Sequence, residues 1–196
     1  MNRKDLFEIF GIDDLIHLPE AVMKVLDAPL EERNAVYMQM LERSGFDLSY
    51  DWFEKVYMEE LSNRKDHGQF FTPPTVGELL AKITGNGQGT IHEPTAGTGG
   101  LVIKLWHLQT RKCMPWEYFP SEHMVNCWEL SDRCVPLLLL NLSIRGMMGY
   151  VYHGDTLERT VKMKYVLLNT RDDCMGFSEV IRDPDGNKLI SKETRL

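Results

Sequence analysis

The stretch Glu93-Pro-Thr-Ala-Gly-Thr-Gly-Gly100 follows a short strand candidate and leads directly into an apolar helix candidate. Its glycines at 97, 99 and 100 permit a tight turn and a close approach of a ligand to the backbone. The helix that follows offers free N–H groups and a partial positive charge. The stretch is neither a Walker loop nor a G-x-G-x-x-G fingerprint. By itself it indicates either a ligand-binding loop or only a tight strand-to-helix turn.

Around this loop, short apolar segments alternate with longer segments of helical period. The predicted strands are 90–92, 124–128, 150–152 and 164–168, and the predicted helices are 75–83, 99–110 and 133–145. Such alternation is typical of a parallel, doubly wound α/β sheet. Near the end, the turn residues 183–187 between two apolar pairs predict a hairpin.

Two acids stand at the ends of predicted strands. Glu129 ends the second strand, where a carboxylate can accept both hydroxyls of a ribose. Asp155 ends the third, where it can accept a hydrogen bond from an adenine amino group, with Leu157 beneath the ring. Either acid alone is more typical of a solvated strand end. Because ligands of open α/β sheets bind beyond the carboxyl ends of the strands, these acids and the glycine loop together predict a nucleoside site.

Charge is unevenly distributed along the chain. Residues 1–66 carry 8 Lys/Arg against 15 Asp/Glu, whereas residues 67–196 carry 14 of each. The first segment has the 3- and 4-residue apolar spacing of helices and shows no catalytic cluster. Nucleic-acid binding usually depends on a positive surface, and neither part has one in bulk. We therefore expect an acidic helical segment that docks a partner protein, and contact with DNA only through a partner subunit.

The composition also indicates the cellular compartment of the protein. The longest apolar runs are far shorter than 18 residues, and the start MNRKDLFEIF lacks the layout of a signal peptide. The four cysteines form no C-x-x-C pair and have no histidine at zinc-ligand spacing. The expectation is a cytoplasmic protein with reduced thiols, no membrane span and no metal site.

Five motifs together resemble the cofactor-binding half of N6-adenine DNA methyltransferases, above all the modification subunit of type I restriction-modification systems. They are Gly68-Gln-Phe-Phe-Thr-Pro73, Glu93-Pro-Thr-Ala-Gly-Thr-Gly-Gly100, Trp128-Glu129, Leu140-Asn-Leu-Ser-Ile-Arg-Gly146 and Gly154-Asp155. The resemblance covers roughly residues 50–170. It implies a class I, Rossmann-like methyltransferase fold over residues 67–196, preceded by an α-helical N-terminal segment over residues 1–66.

The resemblance also implies the cofactor, S-adenosylmethionine or its product S-adenosylhomocysteine, and the residues that hold it. The Phe-Thr-Pro stretch would form a wall around the methionine end, and Glu93 would lie near the ammonium, although the family more often has Asp there. The full set is Phe70, Phe71, Thr72, Pro73, Glu93, Thr95, Gly97, Gly99, Glu129, Leu130, Asp155, Thr156 and Leu157.

The catalytic motif of that family, Asn/Asp-Pro-Pro-aromatic after the fourth strand, is absent. Its expected place holds Asn169-Thr-Arg-Asp172, so only Asn169 matches, as a doubtful catalytic residue. Without the aromatic ring a flipped adenine has no stacking platform. Only 27 residues follow Asn169, too few for the later strands of the family's sheet or for a target-recognition domain, so we expect a truncated sheet.

Three functions follow from these patterns. The leading hypothesis is a protein that binds S-adenosylmethionine, is impaired in methyl transfer and acts through binding or partner docking. The second is an active adenine-specific DNA methyltransferase with a divergent catalytic loop or a partner subunit. The third is an interaction protein on a methyltransferase-like scaffold. Cofactor binding separates the first two from the third, and methyl incorporation into DNA separates the second from the first.

Overall fold

The computed structural model describes residues 1–62, 75, 79, 83 and 89–188. The helices described there are α1 (Arg3–Phe10), α2 (Leu18–Leu26), α3 (Leu30–Arg43), α4 (Glu54–Ser62), α5 (Gly100–Thr110) and α6 (Cys134–Ile144). The strands are β1 (Ile91–Glu93), β2 (Val125–Glu129), β3 (Gly149–Asp155), β4 (Thr160–Leu168) and β5 (Glu179–Asp183). Of the helix predicted over 75–83, the described positions 75, 79 and 83 are helical, and the rest lies outside the described residues.

The five strands form one open sheet in the order β1-β2-β3-β4-β5. The first three are parallel, as predicted, and this mixed α/β sheet confirms the expected fold class. The expectation that β4 is also parallel is wrong, because β4 runs antiparallel to β3, and β5 antiparallel to β4. Only four residues separate β3 from β4. A parallel connection needs a crossover of a dozen residues or more, so this short link can form only a hairpin.

Helix α6 lies in the centre of the core, with every residue from Cys134 to Ile144 buried. A helix that is apolar on all sides needs partners on all sides. The sheet covers one side and α2 packs on another. Tyr37 of α3 reaches the same helix, since its hydroxyl lies 2.7 Å from the Ser143 hydroxyl. The N-terminal helices therefore share one hydrophobic core with the sheet, while the predicted boundary at residue 66 lies outside the described residues.

The end of the Leu140–Gly146 motif has a structural role, because the Arg145 guanidinium ties α6 to the segment before α4. It donates to the carbonyl oxygens of Leu48 at 2.9 Å, Tyr50 at 2.6 Å and Asn141 at 2.7 Å. It also lies over the Trp52 ring, 4.7 Å from the centroid. Arg145 is only 4% exposed, so these contacts replace water as its hydrogen-bond partners.

The face of the sheet opposite α6 carries aromatic side chains. Trp128 of β2 stacks on Tyr152 of β3 with ring centroids 4.7 Å apart. At the far edge β5 ends in the predicted turn, where the Gly186 N–H donates to the Asp183 carbonyl oxygen at 3.1 Å. The return strand of that predicted hairpin reaches beyond residue 188 and lies outside the described residues. Within the described parts of the chain no helix has the length and apolar character of a membrane span.

Candidate functional site

A cleft of about 420 Å³ opens at the carboxyl ends of the three parallel strands. Most of the residues around it come from three loops that follow β1, β2 and β3, and one comes from α4. The lining consists of Glu54, Glu93, Pro94, Thr95, Ala96, Gly97, Gly100, Leu101, Glu129, Leu130, Cys134, Gly154, Asp155, Thr156 and Leu157. The cleft thus brings together eight predicted site residues, which are Glu93, Thr95, Gly97, Glu129, Leu130, Asp155, Thr156 and Leu157.

The glycine loop turns sharply from β1 into α5. Gly97 has a φ of 57° and Gly99 a φ of 103°, a left-handed region that favours glycine. The Ala96 N–H donates to the Trp128 carbonyl oxygen at 2.8 Å, which attaches the loop to β2. Helix α5 begins at Gly100, which confirms the predicted helix start.

Glu129 holds this loop from the end of β2. One carboxylate oxygen accepts from the Gly97 N–H at 2.7 Å, and the other accepts from the Ser131 N–H at 2.7 Å. Each carboxylate oxygen has a second lone pair, so the same group can also accept bonds from a ligand in the cleft. The Glu129 side chain is only 7% exposed, whereas carboxylates in proteins are mostly exposed to water.

Glu93 and Asp155 each organise their own loop. Glu93 accepts from the Thr95 N–H at 3.1 Å and from the Thr95 hydroxyl at 3.2 Å. Asp155 accepts from the Leu157 N–H at 2.8 Å. Thr156 joins the first and third loops, because its hydroxyl donates to the Pro94 carbonyl oxygen at 2.7 Å. The carboxylates are therefore held in place without a ligand.

Two apolar side chains stand at the mouth of the cleft. Leu157 is 92% exposed and Leu130 is 54% exposed. Both belong to loops anchored by the acids beside them, Glu129 through Ser131 and Asp155 through Leu157 itself. Exposed leucines on anchored loops are suited to cover a flat apolar ring that enters between them.

Packing inside the protein excludes a side chain at Gly99, and the predicted contact of Gly99 with the ligand stays a prediction. Gly99 does not line the cleft, and a Cβ on it would point into the core, 3.0 Å from Leu138 Cδ1. Position 99 therefore requires glycine for two reasons, the close packing of α5 against α6 and the positive φ.

We expect Gly99→Ala to destabilise the fold by about 2 kcal/mol, since the substitution adds steric crowding to a strained backbone. Thermal or urea denaturation measures this. Gly45→Ala is the matched control, because Gly45 also has a positive φ, of 66°, but open space around the added Cβ. If both variants lose the same stability, the packing explanation is wrong.

Sequence reasoning missed two acids, Asp51 just before α4 and Glu54 at its first position. Glu54 lines the cleft. Asp51 lies under the glycine loop, where the Thr98 hydroxyl, the Asn141 side-chain amide at 2.7 Å and the Phe53 N–H at 2.9 Å all donate to it. The signal was present in Asp51-Trp-Phe-Glu54, where two acids flank two large aromatic residues.

Burial raises the pKa of both of these carboxyl groups. Desolvation raises the pKa of Asp51, against the opposing effect of its hydrogen bonds and of Arg145. Desolvation also raises the pKa of Glu54, as does the neighbouring charge of Asp51, while Lys104 opposes the shift. Burial is the main cause of both shifts, and only for Glu54 does a neighbouring negative charge add to it.

Asn169 lies at the opposite edge of the sheet from the cleft. Because β4 is antiparallel to β3, the residue before Leu168 pairs with Gly149, where β3 begins. The six residue steps along β3 from there to Asp155 span about 20 Å. Asn169 is 1% exposed, and its side-chain amide donates to the carbonyl oxygens of Gly146 at 3.2 Å and Gly176 at 3.1 Å. Asn169 thus lies away from the cleft with the contacts of a loop anchor, and its catalytic role stays a prediction.

Two further parts of the predicted motifs are Trp128 and the Phe-Thr-Pro stretch. Trp128, part of the Trp128-Glu129 motif, stacks on Tyr152 on the face of the sheet opposite α6 and does not line the cleft. Phe70, Phe71, Thr72 and Pro73 lie outside the described residues, so their predicted contacts stay a prediction.

The open α/β sheet, with a glycine loop leading into a helix at the carboxyl edge, is consistent with a Rossmann-like methyltransferase domain. Residues 45–187 match the protein family described as N-6 DNA Methylase, and the chain belongs to this family. The match begins after α3, so it includes the segment with Asp51 and Glu54. A comparison with curated proteins finds no match.

Proposed function

We propose that this methyltransferase-like protein binds S-adenosylmethionine or S-adenosylhomocysteine in the cleft and is impaired in methyl transfer. One observation carries the proposal. The charged side chains among the described residues that line the cleft are Glu54, Glu93, Glu129 and Asp155, and no lysine or arginine is among them.

This charge pattern discriminates between the ligands that a glycine loop can take. A helix N-terminus favours phosphate, but four surrounding carboxylates would repel a nucleotide phosphate. S-adenosylmethionine has no phosphate, and it carries a sulfonium and an ammonium that negative surroundings favour. Within the described residues no group of three or more His, Cys, Asp or Glu side chains is arranged to hold a metal ion. An organic cation with a nucleoside is thus the better fit, in line with the cofactor normally used by N-6 DNA methylases.

The residues present suit the parts of this cofactor. Glu129 would accept the ribose hydroxyls, and Asp155 the adenine amino group, with Leu157 against the ring. Glu93 would lie on the side of the methionine ammonium. When bound, the cofactor supplies an electrophilic methyl group on its sulfonium.

The position of Asn169 supports impaired transfer. An acceptor amine must be held in line with the sulfonium methyl, and a misplacement of even 1 Å reduces the rate strongly. The residue that matches the catalytic motif lies at the other end of the sheet, engaged in loop contacts. A role through binding or partner docking, with the acidic N-terminal helices as the docking surface and DNA reached through a partner subunit, fits these features.

Isothermal titration calorimetry of the purified protein tests the binding proposal. S-adenosylmethionine and S-adenosylhomocysteine are expected to bind one molecule per chain. ATP, which shares the nucleoside but carries phosphates, is the matched control and is expected not to bind. Binding of ATP in preference to S-adenosylmethionine and S-adenosylhomocysteine would contradict the proposal.

We expect no transfer of tritiated methyl groups from S-adenosylmethionine to duplex or single-stranded DNA. The reason is the distance of Asn169 from the cleft and the absence of an aromatic platform in Asn169-Thr-Arg-Asp172. The measurement is filter-bound radioactivity with the unaltered protein and with Asn169→Ala. Incorporation that disappears in Asn169→Ala would show a live catalytic site and contradict the prediction.

A further inference from the structure

We propose that Glu54 is a specificity-determining residue of the cleft that, together with Glu93, receives the ammonium of an amino-acid group on the ligand. This inference rests on the proposed function, since it assigns a role to one wall of the same cleft. It also gives the segment before the sheet, in which the sequence showed no functional cluster, a direct part in ligand recognition.

The order of the strands sets where each part of the ligand can lie. Asp155 ends β3 and Glu129 ends β2, so the nucleoside would occupy the cleft along these two strands. The remaining space lies toward β1 and the start of α5. Glu54 stands there, because a Cβ added at Gly100, the first residue of α5, would lie 3.8 Å from Glu54 Oε2.

A carboxylate beside a helix N-terminus matches a zwitterion. The N–H groups at the start of α5 and the helix dipole favour a ligand carboxylate. The neighbouring Glu54 carboxylate favours the ammonium that an α-amino acid carries two bonds away. A nucleoside without an amino-acid group would leave both features unused, so their combination selects for ligands with that group.

The surroundings of Glu54 favour a cation for a second reason. Burial and the charge of Asp51 raise the pKa of the Glu54 carboxyl group, whereas Lys104 lowers it. Binding a positive group in the cleft would stabilise the ionised form of Glu54. Lys104 lies one helical turn after Gly100, and its charge offsets the two acids only in part.

The position of Glu54 is rigid, which specificity requires. Its helix begins directly after Phe53, whose N–H donates to Asp51 at 2.9 Å, and Asp51 in turn holds the glycine loop through Thr98. The apolar side chains of this helix start, Phe53, Val56 and Tyr57, are at most 5% exposed. Helix α4 is thus anchored to the same loop that the ligand would contact.

The test compares two ligands that differ only beyond the thioether. S-adenosylhomocysteine has the amino-acid group, and 5′-methylthioadenosine has the adenosine and thioether without it. Calorimetric titration of Glu54→Gln, which keeps the shape and removes the charge, is expected to raise the Kd for S-adenosylhomocysteine about tenfold to a hundredfold. The Kd for 5′-methylthioadenosine is expected to stay unchanged.

Glu42→Gln is the charge-matched control, because Glu42 is exposed on α3 and does not line the cleft. It should change neither Kd, and thermal melts should show both variants folded. A Glu54→Gln effect that is equal for the two ligands, or absent for both, would overturn the inference alone. If the unaltered protein binds neither ligand, the proposed function fails, and the inference fails with it.

Discussion

Arg145→Ala is expected to reduce the unfolding free energy by about 3–5 kcal/mol, the cost typical of removing one partner from a buried charged network. The substitution would leave the carbonyl oxygens of Leu48 and Tyr50 without their donor. It would also remove the cation above the Trp52 ring and the positive charge that favours ionised Asp51. Because these groups join the N-terminal segment to α6, their loss acts on the whole core.

The charge of Arg145 is retained despite its burial. Desolvation lowers its pKa to about 10, against the opposing charges of Asp51, Asp47 and Tyr50. The guanidinium is therefore protonated at neutral pH, and the expected loss includes an unbalanced Asp51. Urea denaturation followed by tryptophan fluorescence measures it, with Trp52 as a reporter in the affected region.

Arg43→Ala is the matched control for this prediction. Arg43 also contacts two acids, Asp5 at 3.1 Å and Glu8 at 2.8 Å, but on the surface of α1 and α3. Exposed ion pairs contribute little, so this variant should unfold close to the unaltered protein. Equal losses for the two arginines would show that the buried network is not a main source of stability.

Glu129→Ala is expected to raise the Kd for S-adenosylmethionine by about tenfold to a hundredfold or more, since a charge-assisted hydrogen bond contributes about 1.5–3 kcal/mol. The structure adds a second reason for a large effect. The carboxylate also holds Gly97 at 2.7 Å and Ser131 at 2.7 Å, so the alanine variant loses the ligand's acceptor and the support of the glycine loop together. Calorimetry gives the Kd directly.

Two amide variants test the two carboxylates separately. Glu129→Gln is expected to weaken binding as well, because its amide nitrogen would face a backbone N–H donor where an acceptor is needed. Asp155→Asn is expected to weaken binding less than Glu129→Ala, since its remaining oxygen can still accept one bond. An unchanged Kd for Glu129→Ala would refute the assignment of this residue to the ligand.

The features that could be predicted from the sequence are those set by residues close together in the chain. Three strands each end in an acid or a glycine loop, and a parallel arrangement places those ends at one edge, so the cleft around Glu93, Glu129 and Asp155 could be predicted. The start of α5 at Gly100 followed from the glycines themselves. The family also followed, because its motifs are short and their order is preserved.

The direction of β4 and the place of Asn169 required the tertiary structure. A strand pattern does not state which neighbour the strand pairs with. The four-residue link after β3 is too short for a parallel crossover, so it already indicates an antiparallel β4. The asparagine that matches the family's catalytic motif indicates instead the parallel arrangement of the family's sheet. Gly99 is a similar case, since a glycine in a loop shows that a side chain is excluded but not whether a ligand or Leu138 excludes it.

By itself, then, the sequence determined the α/β class, the family, and the acidic cleft at the strand ends. These depend on periodicity and on residues that act within a few positions of one another. The tertiary structure was needed to show that β4 reverses, that Asn169 is a loop anchor, that Glu54 lines the cleft and that Asp51 lies under the glycine loop. Asp51 meets Thr98 and Asn141 across 47 and 90 residues of chain. Such contacts are set by the packing of α6 between the helices and the sheet, which no local pattern encodes.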